Sequence, residues 1–334
     1  MSRFKNLLLA FAFSVVACGE AYAAPFDAAL EPNLSTVIEG RRYATGYLGP
    51  REGGPLGASY WKPTQSEIAQ LPEAYDLRDH GLTTPIVNQG SCGSCWAFAR
   101  TKAHESAWLK AGNVLALDLA EQDTLVNDRT AYGCNGGFMD GRYEVEKGQS
   151  LEVDCPYRAS SRYACNKPKA SQPVSWSMVG ANSSTAPTPD DLRAAIYHKG
   201  ALAVTVAAGG SFSPNGEGRI TGCNSRSINH MVTLVGYRPA PSGGGYEFLI
   251  ANSWGTSWGL GGFAWSKQGC NRLANEPGDA ALFFEVEPTT PPQPLDCQQL
   301  YLELSECIVD SPAVPYTKES CHEKYQRFSQ CMRN

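Results

Sequence analysis

An apolar run from Leu7 to Ala17 lies behind Arg3 and Lys5 and ahead of the small-residue stretch ending Ala21-Tyr22-Ala23. That order predicts a secretory signal cleaved after Ala23, too short for an ordinary membrane span. Val15-Val16-Ala17-Cys18 offers a competing processing route, a lipoprotein box in which Cys18 is acylated and becomes the first residue. No other stretch approaches the length of a spanning helix. From Ala24 to about Leu71 no helical period is sustained, and Gly46, Gly49, Pro50, Gly53, Gly54, Pro55 and Gly57 crowd together, which predicts an extended leader.

Between Pro72 and about Val286 the pattern alternates helix and strand. Ser94 or Cys95 opens a helix that runs to Gly112. Thr188-Pro189-Asp190-Asp191 sets a cap, a proline in the first turn and acids at the positive helix end, before a helix closed by Gly200. Strands are expected over Ala201 to Ala207, Met231 to Tyr237 and Tyr246 to Ala251, the last two joined by the turn Ser242 to Gly245. Helices early and strands late predict an α+β architecture of two packed subdomains with a cleft between them. The proline-rich stretch 288–295 reads as a semi-rigid spacer. Beyond it, Cys297 and Cys307, then Cys321 and Cys331, are each ten residues apart on helix-like segments, predicting a stapled helical hairpin over 296–334.

A formal charge of -5 with scattered Lys and Arg leaves no electrostatic footprint for nucleic acid. Twelve cysteines in an exported chain imply a disulfide framework. With Cys18 removed or lipidated, eleven remain. The odd number leaves one thiol free, and parity alone does not say which.

The chemistry concentrates around Gln89-Gly-Ser-Cys-Gly-Ser-Cys-Trp-Ala-Phe98, Gly133-Cys134-Asn135-Gly136-Gly137, Asn229-His230 and Asn252-Ser-Trp-Gly255. A thiol needs surroundings that favour thiolate to act as a nucleophile at neutral pH, and a helix N-terminus facing an imidazole supplies them. Cys95 and His230 meet that description, and Asn252 would bond the far side of the imidazole and fix its orientation. These motifs, in this order, resemble those of the papain-like cysteine peptidases; with Leu71-Pro72 and Leu119-Ala-Glu-Gln122, the resemblance covers about residues 71 to 287.

The resemblance implies a fold with a helical left part and a β-barrel-like right part, Cys95 as nucleophile, His230 as acid/base, Asn252 as orienting group, Gln89 as oxyanion donor and Trp254 as a shield. It implies a peptide-binding wall at Gly136 and Gly137 and a selectivity pocket at Phe138, Met139, Thr205, Ile228 and a residue soon after Cys270, for which Glu276 is the candidate. It also implies the disulfides Cys92–Cys134 and Cys223–Cys270. Val126-Asn127-Asp128 departs from the family's Val-Asp-Cys, so Cys165 needs another partner, and Cys155 lies ten residues away. Nested hairpin geometry adds Cys297–Cys331 and Cys307–Cys321, which leaves Cys95 free.

The activity expected is cysteine endopeptidase action on peptide or protein substrates through an acyl-enzyme, by a monomer with no cofactor and no metal. No long His-containing insertion of the carboxydipeptidase kind interrupts residues 138–165. A secreted or periplasmic location is expected, or membrane anchoring through Cys18. Two other classes compete: a thiol-disulfide oxidoreductase using Cys92 and Cys95, which would leave His230 and Asn252 unexplained, and a catalytically silent binding protein on the same scaffold.

Overall fold

The computed structural model describes residues 34–50, 57–113 and 115–288; the signal segment, most of the spacer and the tail with its four cysteines lie outside the described residues. The leader holds more structure than its composition predicts. Ser35–Ile38 (β1) and Arg41–Ala44 (β2) form an antiparallel hairpin across Glu39 and Gly40, both at positive φ as a tight hairpin turn requires. Ser59–Trp61 (β3) joins the main sheet, and Gln65–Ala69 (α1) is a single helical turn. Five residues are too few to show a period, so α1 escapes a pattern search. A reciprocal capping box between Thr64 and Glu67 sets its start.

There follow Tyr75–Asp76 (β4), Cys95–Lys110 (α2), Glu121–Asn127 (α3), Arg142–Lys147 (α4), Ser175–Val179 (β5), Pro189–Lys199 (α5), Leu202–Val206 (β6), Arg219–Ile220 (β7), His230–Pro239 (β8), Tyr246–Ala251 (β9), Phe263–Lys267 (β10) and Ala281–Glu285 (β11). The strands run β3-β5-β11-β6-β8-β9-β10-β7 in one twisted sheet, with β4 on β8. All pairs are antiparallel except β3 with β5 and β10 with β7. Thr188 and Asp191 cap α5 reciprocally, Pro189 takes its first position, and Gly200 at φ 104° ends it.

Two apolar cores make this an α+β fold. One joins α5 to β6, β8 and β9 and includes Trp254 and Trp258. The other gathers Cys95, Trp96 and Ala99 of α2 with Met139, Trp176 and Met231. Their boundary is the cleft.

Helix α2 is buried on nearly every side although it carries Arg100, Lys102, His104 and Glu105. Burial of such groups is tolerable only when each is paired. Arg100 donates to Asp128 (2.9 Å) and to Glu144, and lies over the Trp96 ring. His104 sits between Gln149 Oε1 (2.6 Å) and Ser171 Oγ (2.8 Å). The Arg100 side chain is 1% exposed, so removing it strands two buried carboxylates. Arg100→Met is therefore expected to cost about 3–5 kcal/mol, read from the urea midpoint at pH 7. A cost under about 1 kcal/mol would show the triad to be solvated.

Candidate active site

The disulfide Cys92–Cys134 ties the start of α2 to the glycine loop that follows α3. With Cys92 so engaged, the Cys92-Gly-Ser-Cys95 motif holds no dithiol pair, and Cys95 is the free cysteine among the described residues. Cys155–Cys165 and Cys223–Cys270 are also formed.

Cys95 is the first residue of α2 and His230 the first of β8. Both are fully buried. The Met231 N–H donates to Cys95 Sγ (3.4 Å), which brings the start of β8 onto the thiol. His230 Nε2 lies 2.9 Å from Asn252 Oδ1, and the same oxygen accepts the Ser253 N–H at 2.8 Å. A backbone N–H demands an acceptor, so that atom is oxygen and Nε2 carries the imidazole proton. His230 Nδ1 has no hydrogen-bond partner and is the nitrogen left to exchange a proton. The indole of Trp254 stacks on His230 with centroids 4.5 Å apart.

Gln89 is fully buried, and its amide is oriented by Ser253 Oγ, which donates to Oε1 (2.6 Å). Nε2 then points to Cys92 O (2.9 Å) and to Thr45 O (3.3 Å). Thr45 belongs to the leader, and residues 44–48 form a strap through the cleft. Trp254 Nε1 donates to Ala44 O (2.8 Å), and Tyr43 stacks on the same indole. Asn229 O accepts the Gly46 and Tyr47 N–H groups, each at 3.0 Å. Gly137 N donates to Gly46 O (2.9 Å), and Leu48 N to Gly137 O (3.1 Å). The fit admits glycine alone at three points: a Cβ on Gly46 would lie 2.2 Å from Gly93 O, and one on Gly137 would lie 2.4 Å from the Trp96 ring. Gly136 closes on Leu48 in the same way.

Tyr47 fills a pocket. It shares an apolar cluster with Met139, Met231 and Ile228, and its hydroxyl donates to Asp279 Oδ2. Thr205 Oγ1 donates to Asp279 O (3.2 Å) and so belongs to the same wall. Phe138 packs edge-on against Tyr132. At the pocket base it is Asp279 that accepts the Tyr47 hydroxyl; the Glu276 carboxylate is paired with Arg272, and its charge also acts on that hydroxyl. The loop between them is why spacing misleads. Asn271, Arg272 and Ala274 all take positive φ, so residues counted from Cys270 do not fall where an ordinary turn would put them.

Burial pushes the Cys95 thiol up to about 12, opposed in part by the N–H groups of Met231, Trp96, Tyr47 and Cys95 itself. Burial also lowers His230 to about 4, against the pull of Asn252. Under the strap the pair is thiol and neutral imidazole. In the strapped chain, iodoacetamide labelling of Cys95 is therefore expected to be negligible at pH 6 and to climb about tenfold per pH unit into the alkaline range. Mass spectrometry of the Cys95 peptide checks this; a plateau reached by pH 6 would mean that thiolate forms beneath the strap.

A model of the papain family of cysteine proteases matches residues 71–279. A senescence-specific cysteine protease of Arabidopsis thaliana is 36% identical over 198 residues, covering 58% of this chain and 56% of its own. Cathepsin L of Sarcophaga peregrina is 32% identical over 248 residues, 70% of this chain and 69% of its own. The chain thus spans little more than half the length of the plant relative. Among solved structures, bromelain from Ananas comosus bound to an inhibitor is 26% identical with a TM-score of 0.54, covering 65% of this chain and 100% of that one. A digestive procathepsin of Tenebrio molitor larval midgut is 26% identical with a TM-score of 0.57, covering 73% and 78%.

Proposed function

Because the chain belongs to the papain family of cysteine proteases, we propose that it is an exported cysteine endopeptidase acting on peptides or proteins, monomeric and free of any cofactor. The polarity of one contact carries the mechanism. Asn252 Oδ1 holds the proton on His230 Nε2 and leaves Nδ1 free to serve a thiol at a helix start. Cys95 passes its proton to Nδ1, and Sγ attacks the peptide carbonyl carbon. The C–N bond breaks as Nδ1 returns the proton to the departing amine. Water, deprotonated by Nδ1, then attacks the thioester carbon, and Sγ leaves as thiolate beside the imidazolium. The Cys95 N–H and Gln89 Nε2 receive the oxyanion in each addition, a service worth roughly 10² to 10³ in turnover per donor.

The division into signal 1–23, leader 24–71, peptidase domain 72–287, spacer 288–295 and stapled hairpin 296–334 is part of this reading. So is release into an oxidising compartment, with acylation of Cys18 as the alternative that would tether the chain. Among the described residues no helix is long and apolar enough to cross a membrane.

The leader is read as an inhibitory strap, since it occupies Gln89, Asn229 and Gly137 at once. Cleavage after residue 50 is expected to raise peptide turnover at least about 10²-fold, and Cys95→Ala or His230→Ala in the processed enzyme to remove at least about 10³ of it. A thiol-directed epoxide separates enzyme from silent scaffold: a processed chain that stays unlabelled at Cys95 would favour the binding protein.

Selectivity follows from the pocket that Tyr47 fills. Apolar side chains should be accepted two positions before the cleaved bond, and those ending in a donor, Tyr or Arg, should gain from Asp279. Asp279→Asn is expected to cost Arg at that position roughly tenfold in kcat/KM and to spare Phe. Glu276→Ala should alter neither. The reverse pattern would return the role to Glu276.

A further inference from the structure

Tyr157 stands in the loop closed by the Cys155–Cys165 disulfide, outside the catalytic constellation, yet its hydroxyl touches both ends of the segment that builds the oxyanion site. It donates to the backbone oxygen of Gln89 at 2.9 Å. Its single proton is spent there, so the 2.6 Å contact with Ser94 Oγ is donated by the serine. Ser94 is the N-cap of α2, a place where serine ordinarily turns its hydroxyl back onto the first-turn N–H groups. Here it makes no such bond. The first-turn N–H groups of Cys95 and Trp96 remain turned toward Sγ, where the nucleophile and the oxyanion would meet them.

Other bonds to Gln89 O are weak: Cys92 N reaches it only at 3.4 Å. The phenol ring is fixed edge-on to Phe98, one turn along α2, with centroids 4.7 Å apart. The loop behind it is held by Arg158 N on Gln122 Oε1 (3.0 Å) and by Gln122 Nε2 on Ser160 O (2.8 Å). Ser161 Oγ accepts the Cys134 N–H at 2.8 Å, so the same loop also braces the disulfide of the nucleophile's segment.

We propose that Tyr157 is a positioning residue for the oxyanion site, setting the distance between Gln89 and the start of α2, and that the Cys155–Cys165 bridge holds it there. The inference rests on the acyl-transfer reading above. Loss of the hydroxyl should loosen the Gln89 donor relative to the start of α2 without altering any surface that binds substrate, so it should appear in kcat and not in KM.

In the processed enzyme, Tyr157→Phe is expected to lower kcat roughly ten- to hundred-fold with KM within about twofold. In a Gln89→Ala background the same change is expected to cost less than about threefold, because the donor it positions is gone; a merely structural role would cost the same in both. Equal losses in the two backgrounds, or wild-type kcat in Tyr157→Phe, overturn the proposal. A processed wild-type enzyme without peptidase activity overturns the underlying reading instead. Should Tyr157→Phe not fold, Ser94→Ala, which removes the partner of the same hydroxyl, is read by the same two-background comparison. The Cys155→Ala/Cys165→Ala variant is expected to lose kcat in the same range, with no further loss on adding Tyr157→Phe; an unchanged kcat there overturns the part assigned to the bridge.

Discussion

Desolvation of a single thiol sets the terms of this site. Cys95 sits where a helix start and an imidazole would favour thiolate, yet its surroundings hold the proton on sulfur because water is excluded from every side. His230 answers in kind, since the same burial disfavours imidazolium. An ion pair needs either solvent or a complete set of dipoles around it, and the N–H groups at the sulfur with Asn252 Oδ1 at the imidazole do not outweigh the burial. Residues 44–48, which lie across the pair, are part of that burial.

The strap's chemistry follows from where its atoms fall. Ala44 lies at Trp254, Thr45 at Gln89 and Tyr47 in the pocket bounded by Met139 and Asp279. A substrate whose selected side chain precedes its cleaved bond would run through these places in the opposite chain direction. What meets Sγ is accordingly the N–H of Tyr47, not a carbonyl carbon. The strap engages Gln89 Nε2, Asn229 O and Gly137 at once and presents no bond to attack.

How much of this is legible in the sequence depends on whether a feature is local. The start of α2 at Cys95, the capped α5 between Thr188 and Gly200, and β9 from Tyr246 to Ala251 rest on neighbours within a turn or on alternation, and the structure places them where those signals do. Cys95, His230 and Asn252 converge from distant segments, and only their motifs foretell it. Asp279 is different: three non-glycine residues and Gly278 at positive φ stand between it and Cys270, and no spacing rule anticipates such a loop. Tyr157 carries no signal beyond its neighbouring cysteine, because its partners are a backbone oxygen and a serine far away in the chain.

The segment Val126-Asn127-Asp128 shows how a missing cross-link is replaced. Without a cysteine here, Cys165 turns to Cys155, and the covalent tie between α3 and the following loop is gone. Asn127 takes over part of it: its Nδ2 donates to Cys165 O at 2.7 Å and to Asp123 Oδ1 at 2.7 Å. Asp128 turns inward to Arg100, one helical turn beyond the nucleophile. Between α3 and this loop the folded chain thus relies on a hydrogen bond and a buried charge pair, while Cys155–Cys165 still constrains the unfolded chain, over a loop of ten residues. The local cross-link then becomes available to the loop bearing Tyr157, so the departure at Asn127 and Asp128 and the brace beneath the oxyanion site are two consequences of one rearrangement.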